Sequence, residues 1–268
     1  MKKLFLSILT LVIFVSLHAQ DSSSVSQQAP RSKKTAKKER IQNLMKMEEE
    51  GDLIFNKHFV FGIKLATDGY GLYFEKGKFK TPRKTILYQF ELNEKKSNKE
   101  HKITTSPDGF NYSSVVPYKL NNFYIFKAAI GEERLIGGKG NKNGVSVTAL
   151  YSGGVSVGLL KPYYVNVQNQ AGDTYHKTFD QLQHDTTPEV VTGAAGFTVG
   201  WGHLSVKPGL NAKTAMRFDY GRLNQTISAI EVGLTGEYFF GKIPQVTLVP
   251  QKSFFFNAYV CLLFGSRK

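Results

Sequence analysis

At 268 residues with a single cysteine, 41% hydrophobic residues and a formal net charge of +14, the chain excludes an intramolecular disulfide framework and a cysteine-based zinc site, and leaves room for one or two domains. A mean hydropathy of −0.26 gives no bulk sign of membrane helices, but such an average is blind to strands whose two faces alternate. The excess of Lys and Arg asks for an anionic partner.

Residues 1–19 read as a secretory leader. Lys2 and Lys3 form the charged start, residues 4–17 the apolar run, and Leu17-His18-Ala19 a small-residue exit with cleavage after Ala19. An exported protein is not expected to meet nucleic acid. Outer-membrane lipid, including the phosphates of lipopolysaccharide, is the expected counter-charge.

Residues 20–55 read as a basic flexible linker. Residues 21–35 are rich in Ser, Gln and Lys and nearly free of large apolar side chains, so they are predicted to be disordered. Between 33 and 50, Ile41, Leu44 and Met45 fall on one face of a marginal helix. Lys34, Lys37 and Lys38 lead it and Glu48, Glu49 and Glu50 trail, against the sense that the helix dipole favours. The arm reads either as solvated linker or as a basic segment lying on anionic lipid.

From residue 56 the period becomes two. Phe59, Phe61, Ile63 and Leu65 share one face, with Lys64 on the other, and Asp68-Gly69 is a hairpin dipeptide. Tyr70, Leu72 and Phe74 continue the apolar face, then Ile86, Tyr88, Phe90 and Leu92 opposite Glu91. A long polar connection spans 93–119. Tyr124, Phe126, Ala128 and Ile130 oppose Lys127. Val145, Val147, Ala149 and Tyr151 lead into Ser152-Gly153-Gly154, which reads as a hairpin or as a bend in one strand. A second long connection, 169–189, holds His176 and His184. Ala195, Phe197, Val199 and Trp201 read as a further strand. Leu204, Val206, Leu210, Ala212, Met216 and Phe218 oppose Lys207, Lys213, Arg217 and Asp219, and Ile230, Val232, Leu234 and Tyr238 oppose Glu231 and Glu237. In 254–264 every second residue is apolar, with Phe254 and Phe264 at its ends.

One face is uniformly Phe, Tyr, Leu, Val and Ile; the other carries both signs of charge. The predicted fold is therefore all-β: a closed antiparallel transmembrane β-barrel over 56–268, its greasy face in lipid and its ionic face in a narrow lumen. An even strand count follows if both termini lie on one side, giving about ten strands, with eight allowed. The expected lumen charge network is Lys64, Glu91, Lys127, Lys207, Lys213, Arg217, Glu231 and Glu237, with opposite signs meeting inside. Lys95, Lys96, Lys99 and Lys102, in the charge-dense start of the first long connection, are candidates for contacts with lipid phosphates.

The leader, the alternating run 204–218 and the aromatic-ended last strand FFFNAYVCLLFG resemble the small outer-membrane β-barrel proteins, the group of OmpA-like transmembrane domains. That resemblance implies an outer-membrane location with the arm in the periplasm. It also implies an anchoring, adhesion, assembly or lipid-contact role, with envelope proteins as possible partners. No soluble domain follows the barrel here, which departs from the OmpA type proper.

Two other classes fit the same text. A lipid-modifying enzyme would draw on His176, Asp180, His184, Asp185, His203 and Ser205. A soluble lipocalin-like barrel would turn the aromatic face inward. No nucleophile motif, phosphate loop, calcium loop or zinc spacing is present in the sequence. The expectation is thus a non-enzymatic structural or accessory barrel, with no cofactor and no metal.

Overall fold

The computed structural model describes residues 39, 42, 55–105, 113–140, 144–185, 188–221, 225–247 and 249–268. The leader expected at 1–19, and the linker at 20–55 apart from Glu39, Gln42 and Phe55, lie outside these residues. The chain divides into two units, Met1–Gln42 and Asn43–Lys268, and the architecture below belongs to the second.

Eight long strands close into an antiparallel barrel: β1 (Lys57–Ala66), β2 (Gly69–Thr81), β3 (Lys84–Lys95), β6 (Asn121–Gly137), β7 (Ser146–Pro162), β11 (Ser205–Asp219), β12 (Thr226–Ile243) and β13 (Lys252–Arg267). Each pairs with its sequence neighbour in the ring. β13 returns to β1 over the register His58↔Arg267 to Ala66↔Tyr259. The backbone N–H groups of Asn56 and Lys57 both donate to the Lys268 carbonyl at 2.8 Å, so the described ends of the barrel meet. Ten or so tilted residues cross a hydrocarbon core, and all eight strands reach that length.

The exposure pattern is that of a barrel turned inside out. Outward Phe61, Leu65, Val155, Val232 and Phe256 are 45–63% exposed, whereas inward Lys64, Glu75, Glu231 and Glu237 are at most 1% exposed. In water this wall would be one continuous apolar patch far beyond what a soluble monomer tolerates. In lipid it is solvated, and the closed ring leaves no unpaired edge. The molecule is a transmembrane β-barrel. No helix among the described residues is long and apolar enough to cross a membrane; the strands do the crossing.

The count is eight, not ten, for two local reasons. The Ser152-Gly153-Gly154 stretch lies inside β7 and does not turn. A Cβ on Gly154 would sit 2.0 Å from the Ala128 carbonyl oxygen and 2.5 Å from Ala129 Cα, so glycine here permits close approach to β6. Ala195, Phe197 and Val199 form no strand. Gly200 takes φ +94°, open to glycine, and Trp201–His203 is a single 3-10 turn.

The two barrel ends differ. Beside the chain's described termini, β2 and β3 are joined by a tight turn. At the opposite end, called here the loop end, both long connections are folded. β4 (Ile103–Thr105) pairs with β5 (Ser113–Val115). β8 (Tyr164–Gln168), β9 (Thr174–Thr178) and β10 (Val190–Ala194) form a small sheet in the order β10-β8-β9, with a one-turn helix α1 (Phe179–His184). Val115, Val165 and Val167 make a core under this cap, with Tyr163, Phe179 and Leu182 against it. Thr178 caps α1 reciprocally with Gln181, whose N–H donates to Thr178 Oγ1 at 3.3 Å while the Thr178 N–H donates to Gln181 Oε1 at 2.9 Å.

Candidate functional site: a sealed, charged lumen

Inward positions of all eight strands meet in the lumen. An eight-stranded ring is just wide enough for side chains to fill it. Here they do so in three zones.

The central zone is an ionic column. Glu91 on β3 receives three lysines: Lys64 at 2.9 Å and Lys127 at 3.4 Å on one oxygen, Lys213 at 3.2 Å on the other. Lys127 also forms an ion pair with Glu237, which lies 2.9 Å from Lys95, and Lys95 lies 2.5 Å from Asp68. In the other direction Lys213 lies 3.5 Å from Glu231. Arg217 then bridges Glu231, at 2.7 and 3.1 Å, to Glu75, gripped at 2.8 and 2.9 Å by two guanidinium nitrogens. Tyr259 donates to Glu231 at 2.6 Å, Gln89 donates to Glu75 at 2.8 Å, and Tyr73 also donates to Glu75. The Lys64 ammonium sits 3.9 Å above the Tyr259 ring. Alternating charge thus runs from Asp68 near the loop end to Glu75 near the termini. Isolated charges of this burial would cost several kcal/mol each. The network supplies Glu75, Glu91, Glu231 and Glu237 each with a cation and with a second donor or cation.

Apolar zones lie on either side. At the loop end Phe123, Phe239 and Phe255 pack with ring centroids 5.3–6.0 Å apart, joined by Ile125 and Leu160. Gly158 makes room for them: a Cβ there would meet Phe123 at 2.8 Å. Toward the termini, Val60, Leu87, Leu150, Ile227 and Leu263 fill the space. The cavity bounded by Glu91, Lys127, Ser152, Asn211 and Lys213 is about 10 Å³, room for roughly one water.

Of the eight residues expected in the lumen, seven are in contact with at least one other: Lys64, Glu91, Lys127, Lys213, Arg217, Glu231 and Glu237. Lys207 is half-buried and has no carboxylate partner among the described residues. Lys95 leaves the lipid-contact set. β3 runs on to residue 95, so parity turns Lys95 inward, where it is 4% exposed and paired. Lys96, Lys99 and Lys102 are exposed at the loop end. Glu75, His58, Tyr73 and Tyr259 join the network from outside the expected set, although Glu75 follows directly from the parity of Leu72 and Phe74.

The remaining candidates lie apart. His176 on β9 bonds Asn166 Oδ1 at 2.8 Å, and His184 on α1 bonds the Asp180 carbonyl at 2.8 Å. Lys177 joins Asp185 and, at 2.7 Å, Glu189; hydrogen bonds to the two carboxylates hold its ammonium above the usual lysine range. His203 lies beside Tyr164, and Trp201 stacks on Tyr124 at the outer rim. The grouping among the described residues with metal-ligating spacing is His58, Glu75 and Glu133, whose ligand atoms lie within 4.8 Å of one another. Arg217 already stands there, 2.8 Å from Glu75 and 3.6 Å from Glu133, as the local cation.

Fold and lumen together define a small transmembrane β-barrel of the outer-membrane type with a filled interior. No protein-family model and no curated protein sequence matches the chain. Among solved structures it is similar to Neisserial surface protein A, at 8% identity and a TM-score of 0.37, covering 79% of this chain and 96% of that one. It is also similar to Ail, the attachment invasion locus protein of Yersinia pestis, in complex with the heparin analogue sucrose octasulfate. That match has 9% identity and a TM-score of 0.34 and covers 80% of this chain and all of that one. The exposure pattern of this chain itself is what defines the class.

Proposed function

We propose that this protein is a non-enzymatic, non-conducting barrel of the bacterial outer membrane. It serves a structural or accessory role in the envelope as one subunit of a larger assembly. The observation that carries this reading is the lumen. There an ionic column is closed by Phe123, Phe239 and Phe255, and the cavity beside Glu91 and Lys213 is about 10 Å³, which supports a sealed interior. Residues 1–19 act as the export leader. The end with the chain termini and the tight β2–β3 turn faces the periplasm, and the cap faces outward, following the short-turn, long-loop polarity of such barrels. The basic arm, 20–55, then extends into the periplasm. Lys96, Lys99 and Lys102 meet the anionic headgroups of the outer leaflet, including lipopolysaccharide, each contributing up to about 1 kcal/mol.

Purified protein in planar bilayers tests the closed lumen. No unitary conductance steps are expected, and steady steps that scale with salt would overturn the reading. Lipid A mass profiles from strains lacking and overproducing the protein test the absence of lipid chemistry: they should be identical. In-cell crosslinking from residues placed in the arm should trap a defined envelope protein.

A further inference from the structure

Above the sealed lumen, Asp68 of the β1–β2 turn, residues 95–99, Gln245, Val246 and residues 249–252 line a cavity of about 330 Å³, within the ~300–1,000 Å³ typical of small-ligand sites. Four lysines line it against one carboxylate: Lys95, Lys96, Lys99 and Lys252 with Asp68. Lys95 is already committed to Asp68 and Glu237. Lys96, Lys99 and Lys252 are exposed and have no carboxylate partner among the described residues.

Two lining residues carry buried polar atoms with no partner among the described residues. One is a donor, Asn257 Nδ2, on a side chain only 6% exposed. The other is an acceptor, Asp68 Oδ1. Buried orphans of this kind are costly and call for an occupant. Phe255, held 5.0 Å below the Lys95 ammonium, supplies an aromatic wall.

The three requirements select a ligand. A bare anion would satisfy the lysines and Asn257 but bring negative charge against Asp68. A neutral sugar would donate to Asp68 and accept from Asn257 but leave the lysines without an anion. A sugar bearing a phosphate does both, and its apolar ring face has Phe255 to lie on. We propose that this mouth binds a phosphorylated sugar, either free or as the headgroup of a glycolipid. For its lipid-borne form the proposal rests on the lipid-contact reading of Lys96 and Lys99. For the free form it stands alone.

The test uses the full chain in nanodiscs. Calorimetric titration with glucose 6-phosphate is expected to give saturable binding, at least tenfold weaker with glucose or with inorganic phosphate. A second arm follows the ³¹P resonances of lipid A placed in the same discs. A response confined to glucose 6-phosphate assigns the soluble source and removes the lipid-contact reading alone; one confined to lipid A assigns the lipid source; both together support the shared chemistry. Lys96→Gln/Lys99→Gln/Lys252→Gln, exposed positions that leave the barrel intact, should weaken either interaction at least tenfold. Asn257→Ala should do the same, with folding checked by heat-modifiable gel mobility. Binding to neither probe overturns the proposal, as does equal affinity for inorganic phosphate. So does loss in the triple variant with Asn257→Ala unchanged, which would leave surface charge and no site.

Discussion

Glu91 on β3 and Lys213 on β11 meet at 3.2 Å across the barrel axis, although 122 residues separate them in sequence. β7 and β6 lie between them in the ring, so the contact ties walls that do not adjoin. Glu91 also holds Lys64 and Lys127, which makes it the point on which three lysines depend.

Glu91→Gln keeps the shape and removes the charge. Lys64, Lys127 and Lys213 then share fewer carboxylates in a water-poor lumen. Breaking a buried pair by removing one partner costs about 3–5 kcal/mol. The urea midpoint of the folded band on unheated gels should fall accordingly. An unchanged midpoint would show that the column is solvated and dispensable.

Arg217→Lys preserves the charge but not the fork. Arg217 grips Glu75 with two nitrogens while also donating to Glu231, which a single ammonium cannot reproduce. The expected loss is about 1.5–3 kcal/mol, the range for hydrogen bonds to charged groups. Adding Glu75→Gln to the Arg217→Lys variant should cost less than making it in the native chain, measured as a double-mutant cycle.

Val232→Arg tests which solvent the wall meets. Val232 lies on the outward face of β12, opposite Met216 and Val260. In a bilayer an arginine near mid-wall costs about 2–4 kcal/mol. In a soluble barrel the same exposed substitution would be nearly neutral. Unfolding in lipid vesicles should therefore occur at clearly lower denaturant for the variant.

Phe123→Ala removes the centre of the loop-end aromatic cluster, where Phe123 contacts both Phe239 and Phe255. A buried Phe→Ala change costs about 3–5 kcal/mol. Conductance should stay at zero, because the ionic column still blocks the axis. Channel steps in this variant would show that the rings, and not the salt bridges, form the seal.

The cap should loosen independently of the barrel. Thr178→Ala deletes one half of the capping box and costs the helix start about 1 kcal/mol. Hydrogen exchange should quicken in β9 and α1 while the barrel midpoint holds. The Lys177 link has the opposite pH sense to a carboxylate switch. Because its folded pKa is raised, its contribution is complete below the ordinary lysine value of about 10.4 and fades only as pH climbs through the higher folded value. Proteolysis of the cap should thus be flat between pH 7 and 9.

Much of the barrel was legible because parity is a strict rule. Once Phe61 faces lipid, Lys64 faces the lumen, and the same rule places Val232 outward and Glu231 inward. What parity cannot read is where a strand ends. Alternation alone stops β3 near Leu92 and leaves Lys95 in a loop, whereas three further residues in register carry it inside. Gly153 and Gly154 carry the composition of a turn, but serve close strand approach. Ala195, Phe197 and Val199 alternate like a strand, but Gly200 at positive φ and the packing of Phe197 on Trp201 shape them as rim. Phe123, Phe239 and Phe255 sit on the face that elsewhere carries the charges, and an aromatic residue at an inward position looks like noise until its partners are known. The cap was hidden because its core is three valines from two separate connections.

Asn56 and Lys57 hydrogen-bond to Lys268 at the junction where the first and last strands meet. β1 therefore starts at a fixed point, and its ladders run along both its flanks, so a pull along its length meets them in shear. All the rungs share such a load at once, whereas a sideways pull would open them one after another. A load applied along β1 is thus borne by both of its ladders together.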